Sequence, residues 1–120
     1  MPPQEFFSPV TGGAIATVTR HVAAGLGQCG HRVCVVSPDA AQPLYADCEV
    51  WPVPMAPLDG ARALWGHLRA RLRGWEHPQQ GVYWGEVSRV FNQVQPDVVV
   101  LANDLGGATE VRRRLPSARV

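Results

Sequence analysis

No stretch of this chain approaches the roughly 20 consecutive apolar residues that a membrane-spanning helix needs, so its 120 residues are not expected to cross a bilayer. Cysteine is scarce. Cys29, Cys34 and Cys48 form neither an even set nor a C-x-x-C pair, which argues against a disulfide framework and against a zinc site, and they are expected as small buried hydrophobes. An excess of charge is also missing. Eleven basic and ten acidic residues leave a net charge of +1, so the chain as a whole has no pull toward nucleic acid or anionic lipid, and any basic partner surface must be local. The N-terminus, MPPQEFFSPVTGG, lacks a basic segment followed by an apolar one, so no secretory signal is read there and a cytoplasmic location is the expectation. The four histidines are scattered, and their spacing supports neither a metal site nor a histidine-assisted nucleophile.

What is present is an ordinary globular composition, 46% hydrophobic and 18% charged, in a length that allows one domain with a core. Ile15, Val18, Val22 and Leu26 recur at helical spacing within Gly13 to Gln28 and predict a first helix with that stripe on one face. Gly30 follows, and Arg32 to Val36 reads as a short buried strand. Cys48 to Val53 is a second strand candidate, held to a short or edge position because Pro52 cannot donate to a ladder. From Asp59, a plausible N-cap, the stripe Ala61, Leu64, Trp65, Leu68, Leu72 and Trp75 predicts a second helix, with Arg62, His67, Arg69, Arg71 and Arg73 off the stripe. Tyr83, Val87, Val90, Phe91 and Val94 predict a third helix over Val82 to Val94. Val98 to Leu101 reads as the clearest strand, a short helix runs through Glu110 to Arg114, and Ser117 to Val120 looks like the start of another strand. Helices alternating with short apolar strands predict an α/β fold with a parallel sheet covered on both faces, in which ligands sit beyond the carboxyl ends of the strands.

That rule bears on the glycines. Gly25, Gly27 and Gly30 have the G-x-G-x-x-G spacing of a dinucleotide-binding turn, but they follow a helix and precede a strand, so they stand at the partially negative helix end, where phosphate is repelled. The reading is structural, with Gly30 as the left-handed residue that ends the helix. A nicotinamide-dependent dehydrogenase lobe is correspondingly disfavoured. The ligand candidate lies at the other end of the same helix, in SPVTGGA, where Gly12 and Gly13 lead straight into unsatisfied helix N–H groups. Thr11 as a helix cap, with the glycines merely allowing a sharp entry, is the competing reading.

Taken in order, PVTGGAIATVTRHVAAGLGQCGHRVCVVSP, VWPVP, QPDVVVLAND and LPSARV resemble the N-terminal half of a retaining glycosyltransferase of family 4. Gly30, His31, Val33, Val35 and Pro38 match that family's G-H-x-V-x-V-x-x-P segment, and Pro96, Asp97, Val98 and Val99 match its P-D-V-V strand. The resemblance implies a partial N-terminal lobe, residues 1–120, of an enzyme built from two Rossmann-like lobes. It also implies transfer of a sugar from a nucleotide diphosphate sugar to a saccharide or lipid-linked acceptor, with no metal or bound cofactor. Gly12 and Gly13 would contact the donor's diphosphate or sugar. Glu5, Thr11, Asn103 and Asp104 are candidate acceptor or sugar contacts, an Asx turn being the alternative for the last two.

Three departures accompany the match. No histidine stands in Val100 to Asn103, only Met1 to Phe7 remains where a first strand should precede the glycine loop, and the chain stops before a donor lobe with its paired glutamates. A fragment or truncated reading frame, inactive alone, is therefore expected, and a noncatalytic α/β binding or regulatory module is the alternative. His31 is read as structural, and Arg112, Arg113 and Arg114 as solvated surface. The basic helix 60–75 has two readings. One is a peripheral contact with the inner membrane face, and the other is a solvated basic face on a helix whose apolar stripe covers the sheet.

Overall fold

A computed structural model of the chain describes residues 5–39, 43–55, 59–75, 77–102 and 106–120. Its elements run α1 (Ala14–Gln28), β1 (Cys34–Pro38), β2 (Glu49–Val53), α2 (Gly60–Arg73), α3 (Gln80–Val94) and α4 (Gly107–Arg114), an α/β arrangement. The chain divides into two compact units, Met1–Val53 and Pro54–Val120. Among the described residues no helix is long and apolar enough to cross a membrane.

In the first unit β1 and β2 pair in parallel, Cys34 with Glu49 through Pro38 with Val53, and the Asp39 N–H continues the ladder to the Val53 carbonyl at 2.8 Å. Pro52 lies exposed in β2, which pairs with β1 on one side only among the described residues, as its missing donor requires. The core joins Phe7, Ala16, Ala23 and Val35, with Val33, Tyr45, Cys48 and Val50 packed against them. The expected stripe of α1 is therefore not its packed face. Val18, Val22 and Leu26 are exposed, and the helix turns Ala16 and Ala23 inward. Small side chains let the helix approach closely, and the bulk of the core comes from Phe7 and the strand residues instead.

The end of α1 follows expectation. Cys29 is the C-cap, Gly30 takes φ +85°, its N–H donates to the Gly27 carbonyl at 3.0 Å, and the His31 N–H donates to the Leu26 carbonyl at 3.1 Å. These two bonds satisfy carbonyls that the helix leaves open, and they make a Schellman motif in which His31 acts through its backbone. The cysteines depart from expectation, with Cys29 exposed and Cys34 and Cys48 only half-buried.

The second unit contains α2, α3 and α4. The apolar stripe of α3 packs as the spacing predicts, with Tyr83, Val87, Val90 and Phe91 buried beside Trp84. Asp59 holds the N-cap position of α2 without a side-chain capping bond. The stripe of α2 is turned outward: Leu64, Trp65, Leu68 and Leu72 are all exposed, and Ala70 is the residue it buries. Glu110 on α4 is buried against Arg113 and Arg114, at 2.8 and 2.9 Å, with Arg73 at 3.6 Å, and Arg114 also donates to Ser88 Oγ on α3. Burial pushes the Glu110 carboxyl up, but the hydrogen bonds from Arg113 and Arg114 outweigh it and hold the group below its usual range. Of the arginine run, Arg112 and Arg113 are exposed while Arg114 is half-buried in this cluster.

The expected strand over Val98 to Leu101 does not form as a strand. Val98 makes one parallel bridge with Arg119, closed by the Val99 N–H to the Arg119 carbonyl at 2.8 Å and the Arg119 N–H to the Asp97 carbonyl at 2.9 Å. A β-branched run becomes a strand only where neighbours complete its ladder, and here Val98 and Val100 remain 58% and 70% exposed.

A methyl group added at Gly25 or Gly27 meets open space, whereas Gly30 needs its positive φ. Gly25→Ala and Gly27→Ala are therefore expected to raise stability by about 0.5–1 kcal/mol each, and Gly30→Ala to lower it by about 1 kcal/mol, measured by urea unfolding.

Candidate functional site

The residues before α1 are placed by a short set of bonds. Ser37, fully buried at the carboxyl end of β1, accepts the Phe7 N–H on its Oγ at 3.0 Å and donates its own proton to the Pro38 carbonyl at 3.2 Å. The Phe7 carbonyl accepts the Tyr45 N–H at 3.1 Å, and the Tyr45 ring meets Phe7 edge-on with centroids 5.0 Å apart. The guanidinium of Arg20 on α1 lies over the Tyr45 ring, 4.6 Å from its centroid, and is bonded to Asp47. That hydrogen bond holds the Asp47 carboxyl below its usual range. Tyr45 and Arg20 thus anchor the segment that carries the candidate loop, and no periodic pattern marks either of them in the sequence.

Beyond Phe7 the chain turns. Ser8 is buried, its Oγ accepts the Val10 N–H at 3.1 Å, and its carbonyl accepts the Gly12 N–H at 2.9 Å. A methyl group at Gly12 would collide with that carbonyl and lie 2.8 Å from Ala16 Cβ. Gly12 therefore exists for close packing, and its N–H is spent on the turn. Gly13 is the extended N-cap of α1, and no side chain caps the helix. Thr11 lies exposed before it, so the capping reading of Thr11 does not hold. The Thr17 N–H and Oγ1 both donate to the Gly13 carbonyl, at 3.2 and 3.3 Å.

The first-turn N–H groups of α1 point beyond its N-terminus, the partially positive end of the helix. Glu5, half-buried, brings its carboxylate to this end: a methyl group on Gly13 would sit 3.6 Å from Glu5 Oε2. The loop starts from the Phe7–Ser37 bond at the carboxyl end of β1, which is where a parallel sheet places its ligands. Thr11 and Gly12 thus lie in the turn that leads to Gly13, the Glu5 carboxylate lies beside Gly13, and Asn103 and Asp104 lie outside the described residues. A group binding here would find N–H donors and a carboxylate acceptor side by side, an arrangement that suits a hydroxyl, which both donates and accepts.

Gly25, Gly27 and Gly30 close the opposite end of α1 and contribute nothing to this turn. A second polar cluster, at the start of the strands, joins Arg32 to Glu49 through two hydrogen bonds of 3.0 and 2.9 Å, with Trp51 Nε1 donating to the same carboxylate at 2.9 Å. These donors hold the Glu49 carboxyl below its usual range. Burial pushes the Cys34 and Cys48 thiols up, away from the thiolate form that nucleophilic or metal chemistry needs. Among the described residues no group of three or more His, Cys, Asp or Glu side chains is placed to hold a metal ion. In comparisons with protein-family models, curated proteins and solved structures, nothing matches the chain.

Ser37→Ala leaves the buried Phe7 N–H without its acceptor and is expected to cost about 1–3 kcal/mol. Gly12→Ala, by forcing the Ser8 turn open, is expected to cost a similar ~1–3 kcal/mol, whereas Gly13→Ala, meeting only ordinary contact, is expected to cost only about 0.5–1 kcal/mol, the margin by which alanine is the poorer N-cap, read from the urea midpoint.

Proposed function

We propose that this chain belongs to the acceptor-side N-terminal lobe of a retaining glycosyltransferase of the family 4 type, a Rossmann-like lobe of a two-lobe cytoplasmic enzyme. The full enzyme moves a sugar from a nucleotide diphosphate sugar to a saccharide or lipid-linked acceptor. The observation that carries this reading is the turn Ser8 to Gly13, at the carboxyl end of a parallel strand, which opens an uncapped helix with the Glu5 carboxylate beside it.

In this reading the N–H groups of the first turn of α1 donate to sugar oxygens and Glu5 accepts a sugar hydroxyl proton. Glu5 also adjusts the role given to the glycine pair. A diphosphate placed against Gly13 would face the Glu5 carboxylate, so the sugar portion of the ligand is the better occupant. Gly12 shapes the turn instead of donating to the ligand. Asn103 and Asp104 stay in the proposal as hydrogen-bonding partners of a sugar hydroxyl. Group transfer needs both donor and acceptor held in register, so one wall of the cleft positions its ligand without performing the reaction.

The purified chain is expected to give no sugar transfer with nucleotide diphosphate sugars, and the chain continued by a second α/β lobe bearing paired glutamates is expected to give transfer. In that longer protein, Glu5→Gln is expected to lower kcat/KM for the acceptor about tenfold or more, the value of one hydrogen bond to a charged group. Turnover by the chain alone, or an unchanged kcat/KM in Glu5→Gln, contradicts the proposal. Saccharide binding that the second lobe does not convert into transfer would favour a noncatalytic module.

A further inference from the structure

Helix α2 is seated on its own unit by its small residues. Its 14 residues make two heptads, in which Ala61 and Leu68 take the d positions, Trp65 and Leu72 the a positions, and Ala63 and Ala70 the f positions opposite. The f side is the packed one: Ala70 is buried, Ala63 is half-buried, and the helix lies against α3. The a/d seam faces outward, with Trp65 62%, Leu68 47% and Leu72 77% exposed, and Leu64, at a g position, 73%. Large apolar side chains exposed singly are ordinary, but a continuous seam of them marks a surface that something covers.

The edges of the seam say what covers it. Arg62 and Arg69 hold the e positions and Arg71 the second g position, and all three are exposed. No acidic residue occurs between Gly60 and Arg73, and no ion pair joins these three arginines to another described residue. In paired helices the e and g side chains stand beside those of the partner, and their charges choose that partner. A second copy of α2 would set arginine against arginine along the seam, which repulsion opposes. A lipid surface also attracts arginine but imposes no heptad register, whereas α2 holds its free charges at the positions that face a partner helix. The matching surface is a helix with an apolar seam and carboxylates at its own e and g positions.

We propose that α2 is the docking helix for an acidic amphipathic helix of a partner protein, whose apolar side chains lie against Trp65, Leu68 and Leu72 while its carboxylates pair with Arg62, Arg69 and Arg71. The proposal stands on α2 alone and is independent of the transferase reading. Two heptads bury less than a standard stable interface, so the complex is a transient one whose specificity lies in the charges.

The probe is a synthetic helical peptide with Leu at its a and d positions and Glu at e and g, titrated into the full chain beside the same peptide carrying Lys at e and g. The Glu peptide is expected to bind about tenfold or more tightly than the Lys peptide. Its binding should weaken as salt rises, with a blue shift of indole emission that Trp65→Phe removes. Because Leu68 lies outside the core, Leu68→Gln should keep the circular dichroism spectrum unchanged while weakening binding roughly tenfold. Arg69→Glu together with Arg71→Glu should turn the preference toward the Lys peptide. Four results would overturn the proposal: no binding of the Glu peptide, equal binding of the two peptides, a preference that survives the double reversal, or a chain that leaves an excess of Glu peptide for phosphatidylglycerol vesicles. A dimer in sedimentation that Leu68→Gln dissociates would do the same, by giving the seam to a second copy.

Discussion

One buried hydrogen bond, from the Phe7 N–H to Ser37 Oγ, fixes the start of everything that bears on function in the first unit. Phe7 is fully buried, so its N–H has no water to turn to, and Ser37 is the acceptor that makes the burial tolerable. With Phe7 held at the end of β1, Tyr45 closes on its carbonyl and its ring, and Arg20 and Asp47 close on Tyr45. The chain then has to leave this anchor and enter α1 within a few residues. Only glycine at position 12 lets the Ser8 turn close tightly enough to do so.

Electrostatics at the N-terminus of α1 follow from the same placement. Helix ends of this kind attract anions, and this chain supplies a carboxylate of its own in Glu5. An external anion would compete with it, whereas a hydroxyl can share the site. Gly30, at the far end of the helix, answers the opposite need: its own N–H and that of His31 close carbonyls the helix leaves open. The two glycine clusters look alike in the sequence and do opposite work, because a helix has a direction.

The order of the helices and of the first two strands was legible from periodicity, and so was the end of α1, since Gly30 before a β-branched run has a specific conformational cause. Tyr83, Val87, Val90 and Phe91 were equally legible as the packed face of α3. What periodicity cannot say is which face turns inward. In α1 and α2 the large apolar residues share a stripe, yet each helix packs through alanine, because small side chains allow the closer approach. The run Val98 to Leu101 failed as a strand for a different reason: its β propensity needs partners, and a single bridge to Arg119 does not supply a sheet. At the candidate site, the sequence pointed to the glycine pair and to Glu5. The supports at Ser37, Tyr45 and Arg20 are distant in sequence and come together only in the fold.

The proposed ligand site is the N-terminus of α1 and not the G-x-G-x-x-G run. Amide chemical shifts of the isotopically labelled chain, followed during titration with a panel of nucleotide diphosphate sugars and simple saccharides, test it directly. The amides of Thr11 and of Gly13 to Ala16 are expected to move while those of Gly25 to His31 stay in place. Movement at Gly25 to His31, or no movement at Gly13 to Ala16 with any member of the panel, would contradict it.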